Sequence, residues 1–267
     1  MKKLATKIVL IGAGNVATHL GKALQKKNCE IIQVYSRTSA SAKKLATQLT
    51  CDFVTDIKNI SRQADFYILA VNDDAVAEVL QQISFIPKLI VHTSGTQNIS
   101  VFEDKFKNYG VLYPLQTFSK TKKVDFKKVP IFIEANSSKD LKAIKSIAFS
   151  LSPKVYSITS EKRKSLHIAA VFACNFSNHM YAIAENILSD ASIPLEVLFP
   201  LIDETANKIK KASPIAAQTG PAIRGDSKVM NEHNKFLKKK SDYQKIYTLV
   251  SQSIIHTNRN YGGSRKK

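Results

Sequence analysis

The stretch Ile8-Val9-Leu10-Ile11-Gly12-Ala13-Gly14-Asn15-Val16-Ala17 decides the fold. Lys7–Ile11 carries an uninterrupted apolar run, short enough to be a strand buried on both faces. Gly12 and Gly14 follow at once, and a helical stripe of Val16, Leu20, Ala23 and Leu24 starts directly behind them. The spacing is the G-x-G-x-x-G/A pattern, with Ala17 in the last place. Gly12 allows the sharp turn, Gly14 lets backbone approach a pyrophosphate, and Ala17 lets the helix pack closely on the strand. Asn15 and Val16 open the helix, whose free N–H groups and positive dipole end suit phosphate oxygens. A strand, tight turn and helix within one βαβ unit predict dinucleotide binding.

Working outward, the next strand, Glu30–Tyr35, ends in Ser36-Arg37-Thr38. An enzyme that prefers NAD places a carboxylate at about this point, for the ribose 2′-hydroxyl. Here a guanidinium and two hydroxyls stand instead, a set that fits a 2′-phosphate and favours NADP. The plainer reading is a strand end capped by small polar residues. Two later strand ends carry polar clusters, Ala70-Val71-Asn72-Asp73-Asp74 and His92-Thr93-Ser94-Gly95. Val71 and Asn72 are expected beside the cofactor and Ser94 at its nicotinamide end; Asn72–Asp74 fits a helix N-cap equally well.

Apolar runs and helical patterns alternate as far as residue 158, with further strands expected at Lys88–His92, Val111–Leu115, Pro130–Ile133 and Lys154–Ile158. That alternation predicts an α/β fold, a doubly wound, mostly parallel sheet of the Rossmann type. From Ser160 only helical periodicity remains. The expected domains are therefore 1–158, binding NADP, and 159–267, all-α; Asn258–Lys267 is expected to be a frayed tail.

The helix expected at Glu161–Asp190 repeats Leu166, Ala169, Ala173, Phe176, Met180, Ile183 and Ile187 on one face. His167, Val171, Cys174 and Asn178 share the opposite face, with Asn175 beside it. No charge interrupts this helix for five turns, so it is expected to be buried all round, with its His/Asn side toward a cleft or a partner chain. His167, Asn175, Asn178 and Ser94 are the candidate catalytic residues. A Cys174–His167 nucleophilic pair fails, because seven residues of helix separate them by about 10 Å. Further on, Gln218-Thr219-Gly220-Pro221-Ala222-Ile223-Arg224-Gly225-Asp226 offers Arg224 either to a substrate carboxylate or to a salt bridge with Asp226.

Composition narrows the function classes. The 267 residues are 44% hydrophobic and 23% charged, ample for a globular core. Three scattered cysteines without CxxC argue against a disulfide framework or a zinc site, and no metal is expected. The start lacks the long apolar region of a secretory signal, and Leu166–Ala184, though uncharged, is too polar to face lipid, so a cytoplasmic, soluble protein is expected. The net charge of +19 invites a nucleic-acid reading, yet only six of 40 basic residues are arginine. Base-edge readout relies on Arg forks, so no dedicated nucleic-acid partner is expected.

The elements GAGNVATHL, VYSR, HTSG, YPLQTF, LHIAAVFACNFSNH and QTGPAIRGD resemble Rossmann-like proteins with a distinctive helical C-terminal domain, often labelled NADP oxidoreductases. The resemblance runs from about residue 5 to residue 255. The wider superfamily it resembles includes pyrroline-5-carboxylate reductase, 6-phosphogluconate dehydrogenase and prephenate dehydrogenase. It implies a helical domain that dimerises and a small-molecule substrate held between the domains. It also implies a catalytic Lys four residues before an Asn; if that Asn is Asn175, Val171 stands in the Lys position, and His167 is the best replacement acid or base. The expected function is hydride transfer between NADP(H) and a small C=O or C=N substrate, in a homodimer. The alternative is a non-catalytic NADP-binding sensor or scaffold.

Overall fold

A computed structural model describes residues 5–119 and 122–261, and the chain divides into two compact units, Met1–Asn175 and Phe176–Lys267. The first unit holds an eight-stranded sheet: β1 (Thr6–Ile11), β2 (Cys29–Tyr35), β3 (Asp52–Val54), β4 (Phe66–Leu69), β5 (Ile90–His92), β6 (Tyr109–Pro114), β7 (Ile131–Ala135) and β8 (Val155–Ser157). Its order is β3-β2-β1-β4-β5-β6-β7-β8. Every neighbouring pair is parallel except β6 and β7. The mostly parallel, doubly wound sheet is the one the sequence predicts. The short edge strand β3 was not among the expected elements.

Helices α1 (Asn15–Gln25), α2 (Ser39–Leu49), α3 (Val76–Gln82) and α4 (Ser138–Leu151) cover the sheet. The two-residue period of β1 sorts the core. Ile8 and Leu10 join Leu20, Leu24, Leu45, Leu49, Ile144 and Ala148 on the face of α1, α2 and α4. Val9 and Ile11 join Val79 and Leu80 of α3 on the other. Each such buried aliphatic side chain contributes ~1.5–3 kcal/mol. At Gly21 a Cβ would lie 2.8 Å from Leu10 and 2.9 Å from Leu49, so this glycine sets how closely α1 approaches β1 and α2.

Parallel pairing brings the C-terminal ends of β1, β4, β5 and β6 to one edge of the sheet, where open α/β folds bind ligands. The reversal at β7 sends the chain out of β8 at the opposite edge. Helix α5 (Ser160–Ala170) then climbs back, and at 1.5 Å per residue His167 stands about 10 Å above Ser160.

The single α-helix expected at Glu161–Asp190 is three pieces: α5, a π-helical turn at Val171–Phe176, and α6 (Ser177–Asp190) in the second unit. Bonds in a π turn run i→i+5, which interrupts the 3.6-residue spacing used to assign its faces. The expected all-round burial is also corrected: no residue from Val171 to Asp190 is buried, and Phe172 is 65% exposed. An uncharged helix reveals a demand for cover, and the cover is not supplied within the unit to which each piece belongs.

The second unit continues with α7 (Phe199–Lys208), α8 (Pro214–Ala217), α9 (Pro221–Arg224), α10 (Ser227–Phe236) and α11 (Ser241–Tyr261). Asp226 caps α10 by accepting from the Val229 N–H at 3.3 Å, and Lys240 pairs with Asp190 at 2.6 Å. The expected frayed tail is helical through Tyr261, and its last six residues lie outside the described residues. Among the described residues, no helix is long and apolar enough to cross a membrane.

Candidate active site and cofactor crevice

The turn after β1 has the form its glycines require. Gly12 has φ +120°, its N–H donates to Tyr35 O at 2.8 Å, and a Cβ there would lie 2.3 Å from the Ala70 carbonyl oxygen. Around Gly14 nothing would meet a Cβ within 4 Å. Gly14 is the N-cap of α1 and offers no side-chain cap, so the N–H groups of Asn15, Val16 and Ala17 have no helical acceptor. Ala17 is fully buried against the sheet. Open space in front of uncommitted N–H donors fits the diphosphate of a dinucleotide.

Ser36, Arg37 and Thr38 follow β2 at the same edge. Ser36 donates its N–H to Val54 O at 3.3 Å, and Thr38 is the N-cap of α2 without using its hydroxyl as a cap. Arg37 is exposed and forms no salt bridge among the described residues. Between α1 and α2 a groove of about 490 Å³ starts at Ala13 and is lined by Lys22, Ser41 and Lys44. These two lysines were not among the expected cofactor residues; they add positive potential beside the glycine turn.

Val71 and Asn72 end β4 at the crevice, half-buried and exposed respectively. Asn72 occupies an N-cap position, yet its side chain makes no cap bond. The next residue links two loops: Asp73 accepts the Thr96 hydroxyl, and its carbonyl accepts Gln97 Nε2 at 3.2 Å. Ser94 holds the same turn from within, its Oγ accepting the N–H groups of Thr96 and Gln97, both at 3.0 Å. Its own hydroxyl donates to Thr96 Oγ1 at 3.4 Å, since the Thr96 proton is given to Asp73.

His92 sits beneath this turn, stacked on Phe102 and held neutral, its pKa pushed down to about 3 by burial and secondarily by the Arg163 charge. Its Nδ1 accepts the Ser94 N–H at 3.2 Å, which assigns the ring proton to Nε2. His92 is a support for the loop.

His167 arrives at the same place from α5. Its Nδ1 lies 3.1 Å from the Tyr113 hydroxyl at the end of β6. Both groups rest on Gly95, where a Cβ would lie 2.5 Å from His167 Nδ1 and 2.9 Å from the Tyr113 hydroxyl oxygen. One turn earlier, Arg163 is 1% exposed and clamps three partners: the Glu134 carboxylate, the Gln97 carbonyl, and Ser160 Oγ at 3.1 Å. Glu134 in turn accepts the Ser160 N–H and hydroxyl at 3.0 and 2.8 Å. Arg163 and Glu134 therefore fix α5 against β7 and against the loop that carries Ser94. The sequence reading missed Tyr113, Glu134 and Arg163. The available signals were the YPLQTF element and an Arg one helical turn before His167.

The segment following β6 reaches α1: Asn15 Nδ2 donates to Phe118 O at 2.9 Å, and His19 Nε2 donates to Ser119 O at 2.7 Å. The side chain of Asn15 is thus used to hold this segment. Asn175, in the π turn, is exposed; Asn178 belongs to the second unit and is exposed there. Also in that unit, Arg224 is exposed and forms no salt bridge with Asp226, whose carboxylate caps α10. Among the described residues, no group of three His, Cys, Asp or Glu is placed to hold a metal ion.

Comparison with known proteins bears on the family, the fold and the cofactor. Residues 7–95 match the family model described as NADP oxidoreductase coenzyme F420-dependent, and residues 129–254 match the Domain of unknown function (DUF2520). A Bacteroides fragilis protein of solved structure, provisionally named an NADP oxidoreductase, is 49% identical with TM-score 0.90, over 94% of this chain and 98% of that one. Two more distant structures share the fold. Pyrroline-5-carboxylate reductase of Streptococcus pyogenes is 16% identical with TM-score 0.65, over 94% of this chain and 100% of that one. The reductive aminase of Aspergillus terreus, in complex with NADPH and ethyl-5-oxohexanoate, is 13% identical with TM-score 0.74, over 96% and 95%. No curated protein gives a significant match.

Proposed function

The chain belongs to the family of the Bacteroides fragilis protein, and from that premise we propose an NADP-dependent oxidoreductase that moves a hydride between the nicotinamide and a small C=O or C=N substrate. The observation that carries this reading is His167, a titratable ring half-buried at the ligand edge of the sheet and braced by Tyr113 and Gly95. In this reading residues 1–158 are the cofactor domain and 159–267 the substrate and dimerisation domain.

NADPH, when bound, supplies the hydride. The chain's own residues do the rest. Gly12, Gly14, Asn15, Val16 and Ala17 receive the diphosphate, and Ser36, Arg37 and Thr38 the 2′-phosphate. Val71 and Asn72 border the cofactor from β4. His167 delivers a proton to the substrate's oxygen or nitrogen, and Ser94, in the turn beside it, turns its hydroxyl from Thr96 to the substrate when substrate binds. Asn175 and Asn178 hydrogen-bond substrate, and Arg224 suits a carboxylate on it. Exposed apolar side chains on the helices of the second unit support a homodimer formed through them. Reducing-compartment cysteine usage supports a cytoplasmic location.

The test is NADPH oxidation against a panel of aldehydes, 2-oxo acids and cyclic imines. Turnover is expected with at least one, and His167→Ala should lower it by about 10²–10⁴-fold with NADPH affinity unchanged. Full turnover in that variant would return His167 to a structural role. Tight NADPH binding without turnover across the panel would favour the sensor reading, which the Val171 position in place of a Lys supports.

A further inference from the structure

We propose that Tyr113 is the positioning residue of this site: its hydroxyl holds the Nδ1 edge of His167, so that Nε2 is the nitrogen presented to substrate. The inference rests on the reading of His167 as proton donor given above. Tyr113 stands on the last strand whose C-terminal end reaches the ligand edge, and although it opens the YPLQTF element no expected role covers it.

Three observations carry it. The first is the contact itself, 3.1 Å between the Tyr113 hydroxyl and His167 Nδ1. The second is the floor beneath the pair. A Cβ on Gly95 would come within 2.5 Å of Nδ1 and 2.7 Å of Cγ, so the imidazole lies directly on the glycine and its Nδ1 edge is enclosed. The third is the rigidity of the tyrosine. Its ring is the end of a row that crosses three strands: Tyr113 pairs with Phe132 and Phe132 with Tyr156, at centroid separations of 6.5 and 5.4 Å. A hydroxyl fixed to a sheet is a more exact support than one on a loop.

A phenol suits the task because it both donates and accepts. When His167 is the imidazolium, Nδ1–H donates to the phenol oxygen. Nε2–H gives its proton to the substrate atom that gains a pair of electrons as hydride reaches the adjacent carbon. The ring is then neutral, keeps Nδ1–H, and keeps the same bond to Tyr113. Nε2 is left with a lone pair, ready to be reprotonated from solvent. A carboxylate in place of Tyr113 would hold the ring too, but its charge would trap the cation. Burial pushes the Tyr113 phenol up from its ordinary value, with Asp73 adding to the effect and Arg163 opposing it, so the residue stays a neutral O–H.

Tyr113→Phe tests the proposal, since it removes one oxygen and keeps the aromatic row. In the protein saturated with NADP⁺, the ¹⁵N spectrum of the His167 ring should change from one dominant Nδ1-protonated form to a mixture of tautomers. This arm needs no substrate. With whichever panel compound turns over, kcat should fall about 5- to 10-fold, the loss of one neutral hydrogen bond, while KM and NADPH affinity stay within about twofold. Gly95→Ala should lower kcat similarly with the hydroxyl still present, because the ring is displaced. An unchanged ring spectrum, or unchanged kcat, in Tyr113→Phe overturns the inference. If His167→Ala is impaired and Tyr113→Phe is not, this inference alone falls. If His167→Ala turns over fully, the functional reading falls with it.

Discussion

The two units answer the same hydrophobic demand differently. In Met1–Asn175 the strands alternate their side chains into two separate cores, and residues such as Ile8, Leu10, Ile68 and Val91 are wholly enclosed. In Phe176–Lys267 only Ala222 and Leu237 are buried hydrophobics among the described residues, while Leu249 is 69% and Phe236 75% exposed. A sheet covered on both faces completes its own core. A few helices, two of them only four residues long, present apolar faces that need a further layer. The proposed second subunit is that layer.

The contrast breaks first at Arg163. Replacing it by Ala leaves the half-buried Glu134 without its counter-charge and frees α5 from two elements, so the first unit should lose about 3 kcal/mol. Urea unfolding followed by hydrogen exchange would show the loss confined to that unit; a change under about 1 kcal/mol would mean that the pair is not structural.

Acid sharpens the same contrast. The unfolded His92 takes up a proton below its ordinary value near 6.5, whereas the folded one resists until about 3. Stability of the first unit should therefore fall as pH drops through that window, by up to about 1.4 kcal/mol per pH unit. His92→Asn, which keeps an acceptor for the Ser94 N–H, should flatten the slope measured by chemical denaturation. An unchanged slope would place the acid sensitivity elsewhere.

Cofactor choice belongs to the first unit alone. One charge-assisted Arg–phosphate bond contributes roughly 1.5–3 kcal/mol, so NADPH should bind about 10- to 100-fold tighter than NADH. Arg37→Ala should erase most of that margin in a fluorescence titration without altering oligomeric state. The margin should shrink with added salt, since Arg37 is exposed. Equal affinities in the wild type would remove the assignment.

The smallest expected effect concerns the open unit. At a solvated site, Leu249→Glu should matter by less than about 0.5 kcal/mol. At a subunit interface it should weaken the dimer about tenfold or more, equivalent to about 1.4 kcal/mol. Sedimentation of both proteins at micromolar concentration decides. A wild-type monomer of about 30 kDa would leave the exposed faces without the proposed cover.

What the sequence disclosed was local. The turn at Gly12–Ala17 is readable because strand, glycines and helix are contiguous, and Ser36–Thr38 because it ends a clear apolar strand. The fold class followed from alternation alone. The site's supports were not readable, since Tyr113 and His167 are 54 residues apart and Arg163 and Glu134 are 29 apart. The sequence shows that Leu166–Ala184 is uncharged, yet burial depends on what lies opposite, and the π turn at Val171–Phe176 leaves no spacing signature. Strand β3, Asp52-Phe53-Val54, has no buried residue and follows no longer apolar run, so no hydrophobic pattern marks it.

The reversal between β6 and β7 makes α5 a ruler. Because the chain leaves β8 at the far edge, the height of His167 is counted in residues from the zero mark at Ser160, where Glu134 grips the helix. Substitutions along the outer side of that scale are free to drift. A single inserted residue between Arg163 and His167 is not, since it would swing the imidazole by about 100° and lift it by about 1.5 Å. The length of this segment, more than its composition, is what the fold has to preserve.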